Sequence, residues 1–194
     1  MTTSTEELRS KRPIARVFTL VVIFALVAAT GWWLYWTRVQ NRFTTITPGE
    51  VYQSSAMSAD EMAELIHEYG IRTVVDLRFE DEAEENIAAE RRVLADLGVT
   101  FLHLPSKQVP NDETVDRYLE YVADEEHRPI LIHCKHGEGR SVLFAALYRV
   151  EFEGWSNERA RQATRLILWR SGFALDRPKG LYLDQYQPRL HEQN

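Results

Sequence analysis

A cysteine and an arginine six positions apart, Cys134 and Arg140, frame a loop whose residues are suited to holding an oxyanion. The run Ile130-Leu131-Ile132 is short and apolar, which predicts a buried strand, and the periodic apolar pattern from Ser141 to Glu151 predicts a helix. Between them, Gly137 and Gly139 allow positive φ and close backbone approach. A loop that feeds a helix N-terminus aims several backbone N–H groups and the positive end of the helix dipole at one point, where a tetrahedral anion binds. A thiol at such a point has its thiolate stabilised and ionises anywhere from roughly pH 3.5 to 7.5. Cys134 is therefore the predicted nucleophile, and its target is phosphorus. The Arg140 guanidinium offers a planar fork to two equatorial oxygens of a phosphoryl group, and grips them harder as charge spreads in the transition state. Ser141 is placed to donate to the sulfur and help it leave when a phosphocysteine is hydrolysed. Lys135, His136, Gly137, Glu138 and Gly139 complete the predicted substrate-binding loop. Lys135 and His136 are expected in or beside the pocket, and Glu138 is expected to turn outward while its N–H faces in.

The run HCKHGEGRS resembles the signature loop of the cysteine-dependent protein phosphatases, His-Cys-five residues-Arg-Ser/Thr, particularly the small dual-specificity-like branch found in bacteria. The resemblance extends from about residue 48 to about residue 163. Val51-Tyr52-Gln53-Ser54, a helix, then Ile71 to Arg78 is similar to the opening of the bacterial and plant/fungal members. It departs from the common form at Val142, where many members have Gly. The resemblance implies a phosphomonoesterase that works without metal or cofactor and has a general acid on the loop preceding the next helix. Asp112, 22 positions before Cys134, matches that place best, with Glu113 second and Asp116 too far into the helix. A helix-capping Asp is the plain structural alternative. The implied substrate is protein phosphotyrosine, then phosphoserine or phosphothreonine. Inositol phosphates or a phospholipid headgroup come next, because Cys134-Lys135 with a following Gly137 is similar to lipid-directed members. Two other classes remain: a rhodanese-type sulfurtransferase, whose loop is commonly one residue shorter, and an inactive phosphate-binding module, which retention of both Cys134 and Arg140 disfavours.

A metal reading of the same residues is weak, because His133 and Cys134 are adjacent on a strand and point to opposite faces, and no second Cys/His pair is spaced to complete a site. His133 is expected instead to orient the loop through backbone hydrogen bonds.

The flanking elements must present this loop. Ser58 with Glu61 forms a capping-box pattern ahead of Met62, Leu65, Ile66 and Tyr69, and Gly70 stops that helix. Ile71 to Leu77 and Val99 to Leu104 read as strands. Between them, Asp81 to Leu97 reads as a charged helix burying Ile87, Val93, Leu94 and Leu97, with its acids solvated. A loop from Pro105 to Pro110 precedes a helix carrying Val115, Tyr118, Leu119 and Val122. A further helix is expected from Ser156 through Ile167, with Leu166 among its apolar positions, and Trp155, Trp169 and Phe173 as packing residues. The alternation predicts a single α/β domain, a mostly parallel central sheet flanked by helices, with its ligand at the carboxyl ends of the strands.

The chain has 194 residues, enough for one core and a tail, and Cys134 is its only cysteine, so no internal disulfide holds it. Val17 to Trp36 carries no charge and as a helix would cross a hydrocarbon core of about 30 Å. Arg9, Lys11, Arg12 and Arg16 precede it against Arg38 and Arg42 after it, and Trp32, Trp33, Tyr35 and Trp36 cluster at its far end. An uncleaved anchor is predicted, with the domain outside the cytoplasm, periplasmic in a Gram-negative cell. A signal peptide cleaved near Val27-Ala28-Ala29 fits less well, because the apolar run continues past it. The expected division is a tail at 1–16, anchor at 17–36, linker at 37–47, phosphatase-type domain at 48–175 and extension at 176–194. Residues 1–42 carry +4, which leaves −10 on the remainder of a chain of net charge −6. An acidic domain is a poor general binder of nucleic acid. Attraction for phosphate must be local, from Lys135, Arg140 and His136, with Arg78 and Lys107 as further candidates.

Overall fold

The computed structural model describes residues 3–38, 41–82, 84–164 and 172–190. The chain divides into two units, Met1–Gln40 and Asn41–Asn194. In the first, α1 (Thr3–Arg38) is one continuous helix. Its segment Arg16–Trp36, 21 residues with a mean hydropathy of 2.2, is long and apolar enough to cross a membrane by length and composition. Val17, Phe18, Leu20, Phe24 and Trp32 are exposed along it.

The second unit is built on five strands, β1 (Thr44–Thr47), β2 (Val51–Ser55), β3 (Thr73–Asp76), β4 (Thr100–His103) and β5 (Ile130–Cys134), in the order β1-β2-β5-β3-β4. The last four are mutually parallel and β1 is antiparallel to β2. The sheet therefore starts inside the stretch read above as linker. Three β-branched threonines and Ile46 favour extended backbone there, and Gly49, at φ 77°, lets the chain fold back into β2.

Helices cover both faces: α2 (Ala59–Tyr69), α3 (Glu84–Asp96), α4 (Asp112–Ala123), α5 (Arg140–Phe152), α6 (Asn157–Ala163) and α7 (Pro178–Asp184). Successive strand residues point to opposite sides. Val51, Val75, Ile130 and Ile132 accordingly join a core with α4, α5, Phe173 and Leu183. Tyr52, Val74 and Leu131 join one with Met62, Ile66 and Leu94 on the other side. β5 lies in the middle of the sheet with both faces covered, which is why its sequence is a near-continuous apolar run. Almost all of α5 is buried, so its N-terminus, where the loop ends, is fixed by packing all round.

The capping box at Ser58 forms as its spacing predicts: Ser58 Oγ accepts from Glu61 N, and the Glu61 carboxylate accepts from Ser58 N at 2.8 Å. The charged helix is shorter than expected, because a single 3₁₀ turn, Glu80–Glu82, precedes it. Leu97 is 48% exposed, whereas Glu90 is buried at 3%. Leu166, Ile167 and Trp169 lie outside the described residues.

Candidate active site

The loop after Cys134 emerges where the neighbouring strands stop. Ser55 pairs with Cys134 and Asp76 with His133 at the carboxyl ends of β2 and β3. The hydrogen bonds Ala56 N to Cys134 O (2.8 Å) and Leu77 N to His133 O (3.1 Å) close the sheet there. Gly137 sits at φ 64°, and a Cβ on it would stand 2.7 Å from Ser55 N. Only glycine allows the loop to lie against the end of β2 in that conformation. The buried amide of Gln53 donates at 3.1 Å each to Ser54 O, Gly137 O and Ser141 Oγ, so one side chain ties strand, loop and helix start together.

Cys134 is 3% exposed, and its Sγ lies 3.4 Å from Ser141 Oγ. Burial pushes its thiol up, but hydrogen bonds from the Ser141 hydroxyl and from the N–H groups of Ser141, Gly137 and His136 outweigh that and hold it below the ordinary value. The sulfur is thereby favoured as thiolate. Arg140 is 4% exposed, with Nη1 donating to Leu77 O at 2.9 Å and Ser106 O at 3.4 Å, carbonyls that lie just beyond the carboxyl ends of β3 and β4. Lys135, His136 and Glu138 are exposed. Glu138 turns to Arg42, whose Nη2 is 2.6 Å from it and whose Nη1 donates to His136 O at 2.7 Å. Asn41 and Arg42 both adopt left-handed φ, at 50° and 53°. Asn41 O accepts from Ser55 N and Ser55 Oγ, which straps this segment to the same strand end that Gly137 meets.

The floor beneath is a buried ionic network that sequence reasoning placed differently. Arg78, a candidate phosphate ligand above, is instead buried in this network, with Nε and Nη2 each 2.9 Å from the Asp76 carboxylate and Nη2 2.5 Å from Glu90. The His133 ring, expected to act through backbone, bonds through Nε2 to Glu90 Oε1 at 2.8 Å. Glu90, read as part of a solvated acidic face, is the member that joins them. A buried acid survives here because an arginine just past β3 and a histidine on β5 face it. Asp76, Glu90 and His133 are close enough together to hold a cation, and the Arg78 guanidinium supplies positive charge between the two carboxylates. Burial pushes His133 down, but Glu90 and then Asp76 outweigh it and raise it above the ordinary histidine value.

Asn111, not Asp112, caps α4: its side chain accepts from Thr114 N at 3.1 Å. Asp112 stands in the first turn, 87% exposed, with Arg189 Nη2 2.6 Å from its carboxylate and Arg189 Nη1 2.5 Å from Asp116. Glu113 is exposed as well. The side chains that reach the closing end of the loop come from residues the sequence did not single out. A Cβ on Gly139 would stand 2.7 Å from Gln108 Oε1 and 2.9 Å from Lys179 Nζ, and these two atoms are hydrogen-bonded at 2.9 Å. Lys179 belongs to α7, in the extension to which the sequence assigned no role. That extension is part of the domain: Leu183 and Tyr186 are buried, Tyr186 OH bonds to the buried Glu151, and Glu151 also accepts from Arg189 N and Leu190 N. No spacing rule links Lys179 to Gly139, 40 positions upstream of it; only the packing of α7 does.

Comparison with known proteins agrees with this geometry. Residues 24–174 match the model of the family described as DSP-PTPase phosphatase fused to NAD+ kinase. The chain is 32% identical over 112 residues to the dual specificity protein phosphatase TpbA of one Pseudomonas aeruginosa strain, covering 57% of this chain and 47% of that protein. It is 31% identical over 125 residues to TpbA of a second strain, covering 63% and 51%. The chain thus spans about half the length of the curated relatives it matches. The crystal structure of P. aeruginosa TpbA superposes with a TM-score of 0.58 at 27% identity, covering 76% of this chain and 86% of that one. A TpbA variant in complex with phosphotyrosine gives 0.58 at 25%, covering 79% and 88%. The catalytic core of the PP-IP phosphatase SIW14 from S. cerevisiae shares the fold, with 0.59 at 22%, covering 75% and 85%.

Ser141→Ala removes the foremost contribution that lowers the thiol. The pH midpoint of Cys134 alkylation by iodoacetamide should move up by about one unit, equivalent to about 1.4 kcal/mol; an unmoved midpoint would show that the backbone donors suffice. Glu90→Gln should lower stability by about 3 kcal/mol in denaturant titration, because it leaves His133 and Arg78 short of a buried countercharge. The raised His133 contributes stability that is fully present below about pH 6.5 and is lost as pH rises through its folded value. The variant should lose that part of the pH dependence, and an unchanged slope would count against the pairing.

Proposed function

The chain belongs to the family of DSP-PTPase phosphatases fused to NAD+ kinase, and from that membership we propose that it is a cysteine-dependent phosphomonoesterase acting through a phosphocysteine intermediate. The observation that carries the reading is the buried sulfur of Cys134, met by the Ser141 hydroxyl and by N–H groups of its own loop, which favour its anion where a phosphate would sit. The thiolate attacks phosphorus in line with the ester oxygen. Loop amides and the Arg140 guanidinium take the equatorial oxygens, in a site whose donors are already aimed before substrate arrives. Ser141 donates to the sulfur as it departs from the phosphocysteine, lowering the cost of expelling it as an anion.

The substrate class we assign is protein phosphotyrosine. Its support is the resemblance to TpbA, a dual specificity protein phosphatase, and to the TpbA variant solved with phosphotyrosine. Lys135, exposed on the loop, offers positive charge to groups flanking the phosphate, and the exposed His136 stands next to it.

We also assign Arg16–Trp36 as a single membrane-spanning anchor that leaves the catalytic domain outside the cytoplasm. Its length, its hydropathy and the basic residues that precede it support that orientation.

Turnover of a phosphotyrosine peptide by the full chain should exceed that of a phosphoserine peptide and of inositol phosphates by about tenfold or more in kcat/KM. Cys134→Ser should abolish all of it, and acid-quenched wild type should carry label from a radioactive phosphoester on Cys134. Inositol phosphates as the best substrate would overturn the substrate class, and thiosulfate turnover without ester hydrolysis would replace the reaction with sulfur transfer. An amino-terminally tagged chain should sediment with membranes at full length, with its domain open to protease only from the extracytoplasmic side. A shortened soluble species would replace the anchor with a cleaved signal.

A further inference from the structure

A phosphoryl group held in this loop needs a proton for its leaving oxygen, and the side chains that reach the closing end of the loop are an amide and an ammonium. Gly139 precedes Arg140 directly, and the space a side chain would take there is filled by Gln108 Oε1 and Lys179 Nζ. The lysine is built into place along its length. Pro178 at the first turn of α7 fixes the start of that helix. A Cβ on Gly180 would stand 2.1 Å from Ala174 O, so only a glycine lets α7 press onto the backbone at residues 173–174. The Lys179 stem passes Gly172, where a Cβ would lie 3.4 Å from Cε, and its ammonium stands 5.4 Å from the centre of the Phe173 ring. The charged groups that act on it are Cys134, Glu138 and Arg140, two from the reacting centre and one from the rim. Asp112, by contrast, is turned to Arg189 on the exposed side of α4.

We propose that Lys179 is the general acid, and afterwards the general base, of this reaction; the proposal rests on the phosphomonoesterase reading above. In the first half the Cys134 thiolate bonds to phosphorus and the ester P–O bond breaks. Its electron pair goes to the leaving oxygen, which takes a proton from Lys179 Nζ, giving the free alcohol or phenol, a phosphocysteine and a neutral amine. In the second half the amine removes a proton from water as the water oxygen bonds to phosphorus. The S–P pair returns to sulfur, releasing inorganic phosphate and restoring thiolate and ammonium. Gln108 Oε1, already the acceptor for Nζ, holds the amine toward the loop through both halves. Burial is the main influence on the ammonium and holds it below the ordinary lysine value against the opposing charges of Cys134 and Glu138, which suits a group that must give up and retake a proton.

The test is leaving-group dependence in the full chain, measured as kcat/KM from 2,4-dinitrophenyl phosphate, whose phenoxide leaves without help, to phenyl phosphate, whose phenoxide does not. Lys179→Met should stay within about threefold of wild type on the first and fall about 100-fold on the second. It should also lose the basic limb of the pH profile. Lys179→Arg keeps the charge but releases no proton, so it should follow Lys179→Met on phenyl phosphate; it also carries the contrast if the methionine variant does not fold. Asp112→Asn should show no such dependence. Equal losses on both esters with rescue by Lys179→Arg would reduce Lys179 to a binding charge, and leaving-group dependence in Asp112→Asn would return the role to that carboxylate. Either result overturns the proposal while leaving the phosphatase reading intact. A wild type that hydrolyses neither ester overturns both.

Discussion

Charge on one buried sulfur is the constraint to which the rest of the molecule answers. Burying a thiol disfavours its anion, and Cys134 is among the buried residues of the main core. The opposing donors are a hydroxyl at the start of α5 and three backbone N–H groups from the loop and helix start. Their effect depends on convergence, since each neutral donor contributes modestly and only together do they outweigh desolvation. Convergence in turn requires that β5 end level with β2 and β3, that Gly137 hold a left-handed turn against Ser55, and that the first turn of α5 not shift. Gln53 enforces the last two at once by donating to Gly137 O and Ser141 Oγ.

The ionic floor explains why a region so close to an anionic site contains buried acids. Asp76 and Glu90 hold Arg78 and His133 in one buried network next to the nucleophile's strand. A buried set of this kind is weak evidence for net stability, because its attraction is offset by the cost of desolvating each member. Its value here is geometric: it ties β3, α3 and β5 together through directional bonds immediately before Cys134, where apolar packing alone would permit small shifts.

Opposite the floor, the site is bounded by segments far away in the chain. Arg42, just after the amino-terminal unit, holds the outer side of the loop through His136 O and Glu138. The carboxyl-terminal segment closes the other side, anchored by Leu183 and Tyr186 in the core and by Glu151, and brings Lys179 to Gly139. The loop is thus held from both flanks of the domain, while N–H groups of His136, Gly137 and Ser141 stay aimed at the sulfur.

The sequence alone determined the elements whose signals are local. The capping box at Ser58, the apolar run of β5, the helix-initiating loop with its cysteine, glycines and arginine, and the alternation that makes a mostly parallel sheet all lie within windows of a few residues, where periodicity and turn chemistry act directly. What only the tertiary structure decided are contacts between residues with no fixed spacing. Glu90 reads as one acid among many until α3 turns it toward Arg78 and His133. Gln53 reads as an ordinary strand residue, nothing local pairs Asp112 with Arg189, and Lys179 reads as part of an unassigned tail until α7 packs beside Gly139. The reason is physical: local backbone preferences are set by neighbours in the chain, whereas the partner of a side chain is set by which elements share a buried face.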